Sequence, residues 1–220
     1  MPRPHAMLDR VPLFANLDAA ALDELQQHTK RKHYQKRTVI IEKGDESSTL
    51  YVLASGRAKV YIADDAGKEV VLRELGPGDH FGELALLGDS PRTASVMSLT
   101  DCEVLVLTGP VFKEFLAHHP EVALQLICHL ARQVADLTDT ASDMALLTVY
   151  GRVAKLLAEH AEEDEVGRLI TAPLTQQGIA DRVGCSREMV SRILGDLKTG
   201  GYISSEGKRF VLERKLPERW

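Results

Sequence analysis

A stretch of 27 residues without glycine or proline, from about Glu121 to Leu147, constrains the fold of this chain more than any other feature. Leu130, Leu137 and Met144 recur in it every seven residues. A second series with the same period consists of Leu126, Gln133, Thr140 and Leu147. The two series together indicate a helix with an a/d seam. Such a helix is about 40 Å long, so a two-chain coiled coil is favoured over packing on one small domain alone.

The part of the chain before this helix is rich in strand signals. Between Thr38 and Thr108, short apolar or β-branched runs are separated by turn signals such as Gly76-Pro77-Gly78-Asp79. The runs are TVII, TLYVLA, RAKVYIA, EVVLREL, TASVMSL and CEVLVL. Many short strands at this spacing predict a sandwich or barrel. Ahead of them, AAALDELQQH predicts a short helix with Asp18 as its N-cap.

After the long helix, the sequence predicts a compact helical unit. Thr148 is a candidate N-cap for the helix VYGRVAKLLAEHA, which is followed by an acidic run, residues 162–165, expected to be a solvated loop. Residues 175–195, TQQGIADRVGCSREMVSRILG, then contain two short helical patterns around a tight turn at Gly184, with Ser186 as the second N-cap. We expect Ile179, Ala180, Val183, Met189, Val190, Ile193 and Leu194 to face inward.

The exposed face of the second short helix has the chemistry of DNA recognition. It carries Arg187, Glu188, Ser191 and Arg192. Arginine can bind both acceptors of a guanine, and glutamate can accept from the amino group of cytosine. A solvated charged face is the alternative, but a predicted hairpin with the cationic tip Gly207-Lys208-Arg209 argues against it. Residues 174–220 hold nine basic and six acidic side chains although the whole chain has a net charge of −5, so any DNA-binding surface belongs there.

The segment GCSREMVSRIL resembles the recognition helix of the cyclic-AMP receptor protein and fumarate-nitrate regulator (Crp/Fnr) family. The resemblance implies that Arg187, Glu188 and Arg192 read base pairs. It implies contacts to phosphates from Thr175, Gln177, Ser186 and Lys208. The DNA would be a palindrome with TGTGA-like half-sites, bound by a homodimer. Gly178 departs from the family pattern, because a better helix former is usual at that position.

A second motif, residues 81–96 with the sequence FGELALLGDSPRTASV, has the groups that a cyclic phosphate needs. Arg92 can form charge-assisted hydrogen bonds to the phosphate, and Thr93 can donate to it. Backbone N–H groups at the start of a short helix, from Glu83 to Ala85, add further donors. The Glu83 carboxylate can accept from the ribose 2′-hydroxyl. The alternative is a purely structural ion pair between Glu83 and Arg92.

The whole string also resembles the phosphate-binding cassette of cyclic-nucleotide-regulated kinases, channels and Crp-type regulators. The matching residues are Gly82, Glu83, Leu84, Arg92, Thr93 and Ala94. In the family's prototype a threonine and a serine of the dimer helices hold adenine, and the aligned residues here are Leu137 and Thr138. Thr138 can still bind the base, whereas Leu137 cannot replace the threonine. Cyclic AMP is therefore the expected effector, and cyclic GMP stays possible because Thr93 could contact guanine.

Together these features predict an α+β chain of three parts. Residues 1–120 form a cyclic-nucleotide-binding β-roll, a jelly roll; residues 121–147 form a dimerisation helix; and residues 148–220 form a winged helix-turn-helix domain. The family's activators contact RNA polymerase at the places of the acidic run and of the basic segment Lys30-Arg31-Lys32, so RNA polymerase is an expected partner. Transcription regulation controlled by a nucleotide is the expected function.

Other classes of function fit the sequence less well. The chain has no nucleophile–base spacing or Walker loop, so an enzyme is not expected. Its three cysteines, Cys102, Cys128 and Cys185, lie far apart, so neither a metal site nor an iron–sulfur cluster is expected. A haem sensor using His80 would leave the cassette unexplained, and a nucleotide-binding regulatory subunit would not need the DNA-reading face. The absence of a long apolar run favours a cytoplasmic protein without membrane contact.

Overall fold

The computed structural model describes residues 8–65, 67 and 69–217. The chain divides into two compact units, Met1–Gln133 and Val134–Trp220. The outer ends of the expected first and last domains, residues 1–7 and 218–220, lie outside the described residues. No helix within the described ranges is both long and apolar enough to span a lipid bilayer.

The first unit is a β-roll flanked by helices. It begins with 3-10 turns at Leu8–Arg10 and Pro12–Phe14 and with helix α1 at Ala19–Gln27, where Asp18 accepts from the Ala21 N–H as the expected N-cap. The strands are β1 (Lys30–Tyr34), β2 (Val39–Ile41), β3 (Thr49–Ser55), β4 (Ala58–Ala63), β5 (Glu69–Leu75), β6 (His80–Phe81), β7 (Ser95–Ser98) and β8 (Cys102–Thr108). Helix α2 (Glu83–Gly88) lies between β6 and β7, and α3 (Gly109–His118) and α4 (Pro120–Leu146) follow β8.

Two antiparallel sheets, in the orders β1-β8-β3-β6 and β2-β7-β4-β5, make up the roll. Strand β3 is buried on both faces. Tyr51 and Leu53 belong to the cluster shared with β2, β4, β5 and β7, while Leu50 and Val52 pack against residues of the flanking helices. Double-sided burial explains why this strand is a continuous apolar run rather than an alternating one. Because β3 pairs with β6, the residues that follow β6 lie next to a strand that is buried on both faces.

The sequence pattern predicted six of these eight strands. It missed β1, KRKHY, because an exposed polar edge strand has no apolar alternation. It missed β6, because a strand of two residues is too short to show a period. The predicted α+β architecture is nevertheless confirmed, and the two missed strands are the opposite edges of one sheet, of which β6 leads directly into the cassette.

Helix α4 has almost the predicted length, but the first half of the face expected to be a dimer seam packs within the first unit. Leu126 is 2% exposed and belongs to the core of that unit, and Leu130 packs against the same cluster. Gln133 points to Glu83. A heptad pattern does not distinguish packing on the chain's own domain from packing on a second chain, so that part of the seam was assigned wrongly.

A different face of α4 is exposed, and we call it the exposed stripe. Leu124, Ile127 and Val134 lie on it, and Val134 is 63% exposed. With alternating spacings of three and four residues, the exposed stripe consists of Leu124, Ile127, Ala131, Val134, Thr138, Ala141 and Ala145. Leu137 and Met144 flank it and are exposed as well. These spacings are those of a and d positions in a coiled coil.

The second unit carries a winged helix-turn-helix. After the end of α4 come helix α5 (Val149–Glu159), strands β9 (Ala161–Glu163) and β10 (Leu169–Thr171), helices α6 (Gln176–Val183) and α7 (Arg187–Thr199), and strands β11 (Ile203–Glu206) and β12 (Arg209–Leu212). The four strands form one antiparallel sheet in the order β11-β12-β10-β9. The three helices and the sheet share one apolar core.

Capping residues in the sequence correctly predicted where helices of this unit begin. Thr148 and Ser186 accept from the backbone N–H groups of Gly151 and Met189 as the expected N-caps. Two expectations are wrong. Met189 is 37% exposed rather than inward, because Val190, Ile193 and Leu194 already fill the core-facing side of α7. The acidic run is not a simple loop, since its first residues lie in β9 and pair with β10.

Candidate functional site

Arg92 is a buried cation at the centre of the cassette. It is 4% exposed, and its guanidinium donates to Gly82 O at 2.7 Å, Thr49 O at 2.9 Å and Ser47 Oγ at 3.1 Å. Burial lowers the pKa of Arg92 from its ordinary value. Arginine has five N–H donors, so these three bonds leave two for a ligand. The partners on β3 and in the segment before it could not be predicted from the sequence, because they lie more than 40 residues from Arg92 along the chain.

Gly82 lets the backbone approach this guanidinium. Its φ is +89°, in the left-handed region that favours glycine. A Cβ atom there would lie 2.6 Å from Arg92 Nη1 and 2.7 Å from Thr49 O. The glycine is therefore required by the turn into α2 and by the space that Arg92 takes.

Glu83 is buried but only partly satisfied. It is 3% exposed, and its Oε1 accepts from Gln133 Nε2 at 3.4 Å. Its Oε2 is buried with no hydrogen-bond partner among the described residues. No ion pair joins Glu83 to Arg92 within the described part of the chain, so the purely structural alternative is not what the structure contains. A buried carboxylate oxygen without a donor is costly, and a ligand hydroxyl would satisfy it.

The other expected ligand-binding residues differ in how exposed their side chains are. Ala85 is buried in the first turn of α2, whereas Leu84 is exposed on the same turn. Thr93 is exposed next to the buried Arg92, and Ala94 is half-buried. The four residues flank Glu83 and Arg92 in sequence, so the structure brings them to one region of the first unit. Thr138 lies on the exposed stripe of α4, and its hydroxyl donates to Val134 O at 2.8 Å.

A hydrogen-bonded group of residues links Glu83 to the strands of the roll. Most of its members could not be predicted from the sequence. Gln133 Nε2 lies 2.5 Å from His129 Nε2, and Arg73 Nη1 lies 3.4 Å from the same histidine nitrogen. The His80 and His129 rings are 4.2 Å apart, centroid to centroid. Burial, with smaller effects of His129 and Arg73, lowers the pKa of His80 to about 3. His80 is therefore neutral at physiological pH.

The expected DNA-reading residues meet on one exposed face of α7. Arg187, Glu188, Ser191 and Arg192 line an open cleft of about 470 Å³ together with Gln176 of α6, which the sequence analysis did not single out. Within the described ranges, none of the four side chains from α7 has a hydrogen-bond or ion-pair partner. Their donors and acceptors are thus available to a partner molecule.

The residues expected to hold phosphates lie at the starts of α6 and α7 and at the tip of the hairpin formed by β11 and β12. Thr175 and Ser186 are the N-caps of α6 and α7, where they accept from the N–H groups of Gly178 and Met189. Gln177 donates to Asp181 Oδ1 at 2.7 Å along α6. Lys208 is exposed at the tip of the hairpin formed by β11 and β12.

Gly178 has a partial structural explanation, because a Cβ atom there would lie 3.1 Å from Thr175 Oγ1. A methyl group at this position would crowd the hydroxyl that caps α6.

Among the described residues, no group of three or more histidine, cysteine or acidic side chains is arranged to hold a metal ion.

Comparisons with known proteins identify the family of each domain. A sequence model of the cyclic nucleotide-binding domain matches residues 31–119, and one of the Crp-like helix-turn-helix domain matches residues 151–216. The chain is similar to the CRP-like cAMP-activated global transcriptional regulator of Mycobacterium tuberculosis, with 31% identity over 94% of each chain. It is also similar to the cAMP-activated global transcriptional regulator Vfr of Pseudomonas aeruginosa, with 33% identity over 87% of this chain and 92% of that protein.

A solved structure with a similar fold is that of the c-di-GMP responsive global regulator CLP of Xanthomonas campestris. The TM-score is 0.77 and the identity is 28%, over 90% of this chain and 100% of that one. The named relatives are transcription regulators rather than enzymes, in agreement with the expectation from the sequence.

Proposed function

Because the chain belongs to the Crp/Fnr family of transcription regulators, we propose that it is a homodimer whose affinity for palindromic DNA is raised by cyclic AMP bound in its first unit. The observation that carries this proposal is the presence, in one motif, of a buried cation, Arg92, and of a buried Glu83 Oε2 that has no hydrogen-bond partner among the described residues. A cyclic nucleotide supplies the two complementary groups, one anionic phosphate and one ribose hydroxyl.

The phosphate would lie against Arg92. The guanidinium is held by two backbone oxygens and Ser47 Oγ, so little additional conformational entropy is lost when a ligand binds. Hydrogen bonds between a buried guanidinium and a phosphate are among the strong ones. Thr93, exposed beside it, and the N–H groups at the start of α2, from Glu83 to Ala85, would donate to the same group.

The base is the least determined part of the ligand. Thr138 would contact it from the exposed stripe, whereas Leu137 offers no hydrogen bond. The Mycobacterium and Pseudomonas relatives are cAMP-activated by name, which favours adenine. Cyclic GMP is the second candidate because Thr93 could contact guanine. The Xanthomonas neighbour is by name a c-di-GMP responsive regulator, so cyclic di-GMP is included in the test below.

DNA would be bound by α7 and the hairpin of β11 and β12. Arg187, Glu188 and Arg192, with Ser191, would reach base edges in the major groove, since their side chains form no bonds within the described part of the protein. Thr175, Gln177, Ser186 and Lys208 would position the domain on the backbone phosphates. A palindrome of TGTGA-like half-sites is the sequence that the family resemblance implies.

Dimerisation would use the exposed stripe of α4. Apolar side chains such as Ile127 and Val134 are largely exposed in one chain, which is unfavourable in water unless a partner covers them. A second copy of the same helix would cover them with its own a and d positions. Two copies would also present two recognition helices to successive major grooves about 34 Å apart.

RNA polymerase is the expected protein partner. The basic segment Lys30-Arg31-Lys32 is exposed on edge strand β1, and Glu162 and Glu163 are exposed on β9. Reversing the charge of either patch should lower transcription from a target promoter in vitro without weakening DNA binding. An equal loss of DNA binding would contradict the polymerase contact.

The division into residues 1–120, 121–147 and 148–220 completes the proposal, with the dimer helix between sensor and DNA-binding domain. A function in transcription regulation fits the expected cytoplasmic location without membrane contact.

Isothermal titration calorimetry of the purified protein with cyclic AMP, cyclic GMP and cyclic di-GMP tests the ligand. Cyclic AMP should bind most tightly, and Arg92→Leu should weaken it at least about 100-fold because a buried charged donor is lost. Arg57→Leu, which removes an exposed arginine from the same unit, is the control and should leave the affinity unchanged. Equal binding by wild type and Arg92→Leu would overturn the assigned pocket.

A further inference from the structure

We propose that His129 of α4 is a positioning residue for the ribose contact: through Gln133 it holds Glu83 for the 2′-hydroxyl and so makes the site select ribose over deoxyribose nucleotides. This inference rests on the proposed function, because it concerns the same ligand. It adds a histidine that touches no ligand atom but orients the group that does.

The geometry fixes the roles of the hydrogen-bonding groups. Gln133 Nε2 lies between two acceptors, 3.4 Å from Glu83 Oε1 and 2.5 Å from His129 Nε2. An amide nitrogen has two N–H donors and can serve both. The reverse orientation of the amide would bring its oxygen against the carboxylate. His129 Nε2 must therefore be the unprotonated nitrogen of the ring.

A second donor converges on the same nitrogen. Arg73 Nη1 lies 3.4 Å from His129 Nε2, and Arg73 Nη2 donates to His80 O at 3.0 Å. Since an arginine donates and never accepts, it requires an acceptor at Nε2 as well. Both contacts select the neutral imidazole that carries its proton on Nδ1.

The surroundings keep His129 neutral. Burial lowers its pKa, the cations Arg73 and Arg132 lower it further, and the carboxylates of Glu83 and Asp79 act in the opposite direction. The neutral His80 ring packs against it at 4.2 Å between centroids. A neutral His129 remains an acceptor at physiological pH, so the Gln133 amide stays directed at Glu83.

This arrangement leaves one carboxylate oxygen for the ligand. Glu83 Oε1 is occupied by Gln133, while the buried Oε2 has no partner among the described residues. A ribose 2′-hydroxyl is a donor of the right kind, and a 2′-deoxy ligand would leave that oxygen unsatisfied. Gln133 and His129 are both on α4, so the residues that orient Glu83 belong to the long helix.

The test is calorimetry with two ligand pairs, cyclic AMP and cyclic GMP, each against its 2′-deoxy analogue. Wild type should prefer the ribose ligand by about tenfold or more, the effect of one hydrogen bond to a charged group. His129→Phe keeps a ring but removes the acceptor, so it should weaken binding of the ribose ligand about tenfold and leave the deoxy affinity unchanged. His129→Gln returns an acceptor and should restore most of the preference.

Two further variants serve as a second test and as a control. Gln133→Leu removes the bridging amide and should give the same collapse of the ratio, which keeps the test decisive if His129→Phe does not fold by circular dichroism. His118→Phe makes the same exchange at an exposed histidine of α3 and should leave the ratio unchanged.

The possible outcomes separate this inference from the proposed function. If wild type binds neither cyclic nucleotide, the proposed function fails and the inference fails with it. If wild type binds but folded His129→Phe and Gln133→Leu keep the ribose preference, or lose both ligands of a pair equally, the inference alone is overturned.

Discussion

Arg92 donates from Nη1 to the backbone oxygen of Gly82 at 2.7 Å, so the buried cation of the cassette rests directly on the backbone at the start of α2. This contact fixes the guanidinium before any ligand arrives. It also makes the cation sensitive to a single methyl group, because a Cβ atom at residue 82 would lie 2.6 Å from the same nitrogen.

Gly82→Ala is therefore expected to weaken cyclic AMP binding at least about tenfold, since the guanidinium must move and the residue must leave its left-handed conformation. Calorimetry measures the loss. Gly88→Ala at the other end of α2 is the matched control, because a Cβ there meets only Ser90 Oγ at 3.6 Å. Wild-type affinity in Gly82→Ala would contradict the close packing of Arg92.

Val134→Asp is expected to give monomers, because it places a charge in the centre of the exposed stripe of α4. Analytical ultracentrifugation measures the mass. Thr140→Asp introduces the same charge at another exposed position of the helix, outside the exposed stripe, and should remain dimeric. If Thr140→Asp dissociates and Val134→Asp does not, the seam expected from the sequence is correct and the exposed stripe is not.

The length of α4 could be predicted from sequence, but its partner surfaces could not. Heptad spacing identified the helix within one residue at either end. It could not reveal that Leu126 packs into the helix's own unit, because both kinds of packing bury apolar residues at the same period. The exposed stripe could not be recognised from the sequence because small or polar residues, such as Ala131 and Thr138, interrupt its apolar pattern.

The first unit is expected to lose stability in acid because of His80. Its pKa in the fold is about 3, mainly through burial, against about 6.5 in an unfolded chain. Between these values the unfolded state binds the proton, so the free energy of unfolding decreases as pH falls below about 6.5. The loss should reach about 2 kcal/mol at pH 5.

Urea unfolding at pH 7 and pH 5 measures this loss. His80→Phe should show a smaller decrease between the two pH values, whereas His118→Phe, at an exposed position, should behave as wild type does. An equal decrease in His80→Phe and wild type would show that another group causes the acid sensitivity.

Two substitutions should separate base reading from phosphate contact. Arg187→Ala should cost about 1–3 kcal/mol of specific DNA binding and relax the preference at one base pair of each half-site. Lys208→Ala should weaken binding to all sequences alike and reduce the salt dependence by about one unit per protomer. Competition binding at several salt concentrations distinguishes them. A uniform loss in Arg187→Ala would contradict its assignment as a base-reading residue.

The sequence was sufficient to single out the parts of each candidate site that are local along the chain. Gly82, Glu83 and Arg92 lie within one short motif, and Ser186 and Arg187 within another, so their spacing carries the signal. Ser47 and His129 carry no such signal, because strand pairing and helix packing bring them to the cassette from distant positions. The partners that orient a functional group are thus the ones that only the fold reveals.

The most direct test of ligand control is fluorescence anisotropy of a labelled palindrome with TGTGA-like half-sites, titrated with the protein in the presence and absence of saturating cyclic AMP. Allosteric coupling is typically about 1–3 kcal/mol, a change of roughly 5- to 150-fold in affinity. Because Leu137 cannot hydrogen-bond the base, we expect the lower half of that range and measurable binding without ligand. Arg92→Leu should show no response to cyclic AMP. Equal DNA affinity of the wild type with and without cyclic AMP would contradict ligand control of DNA binding.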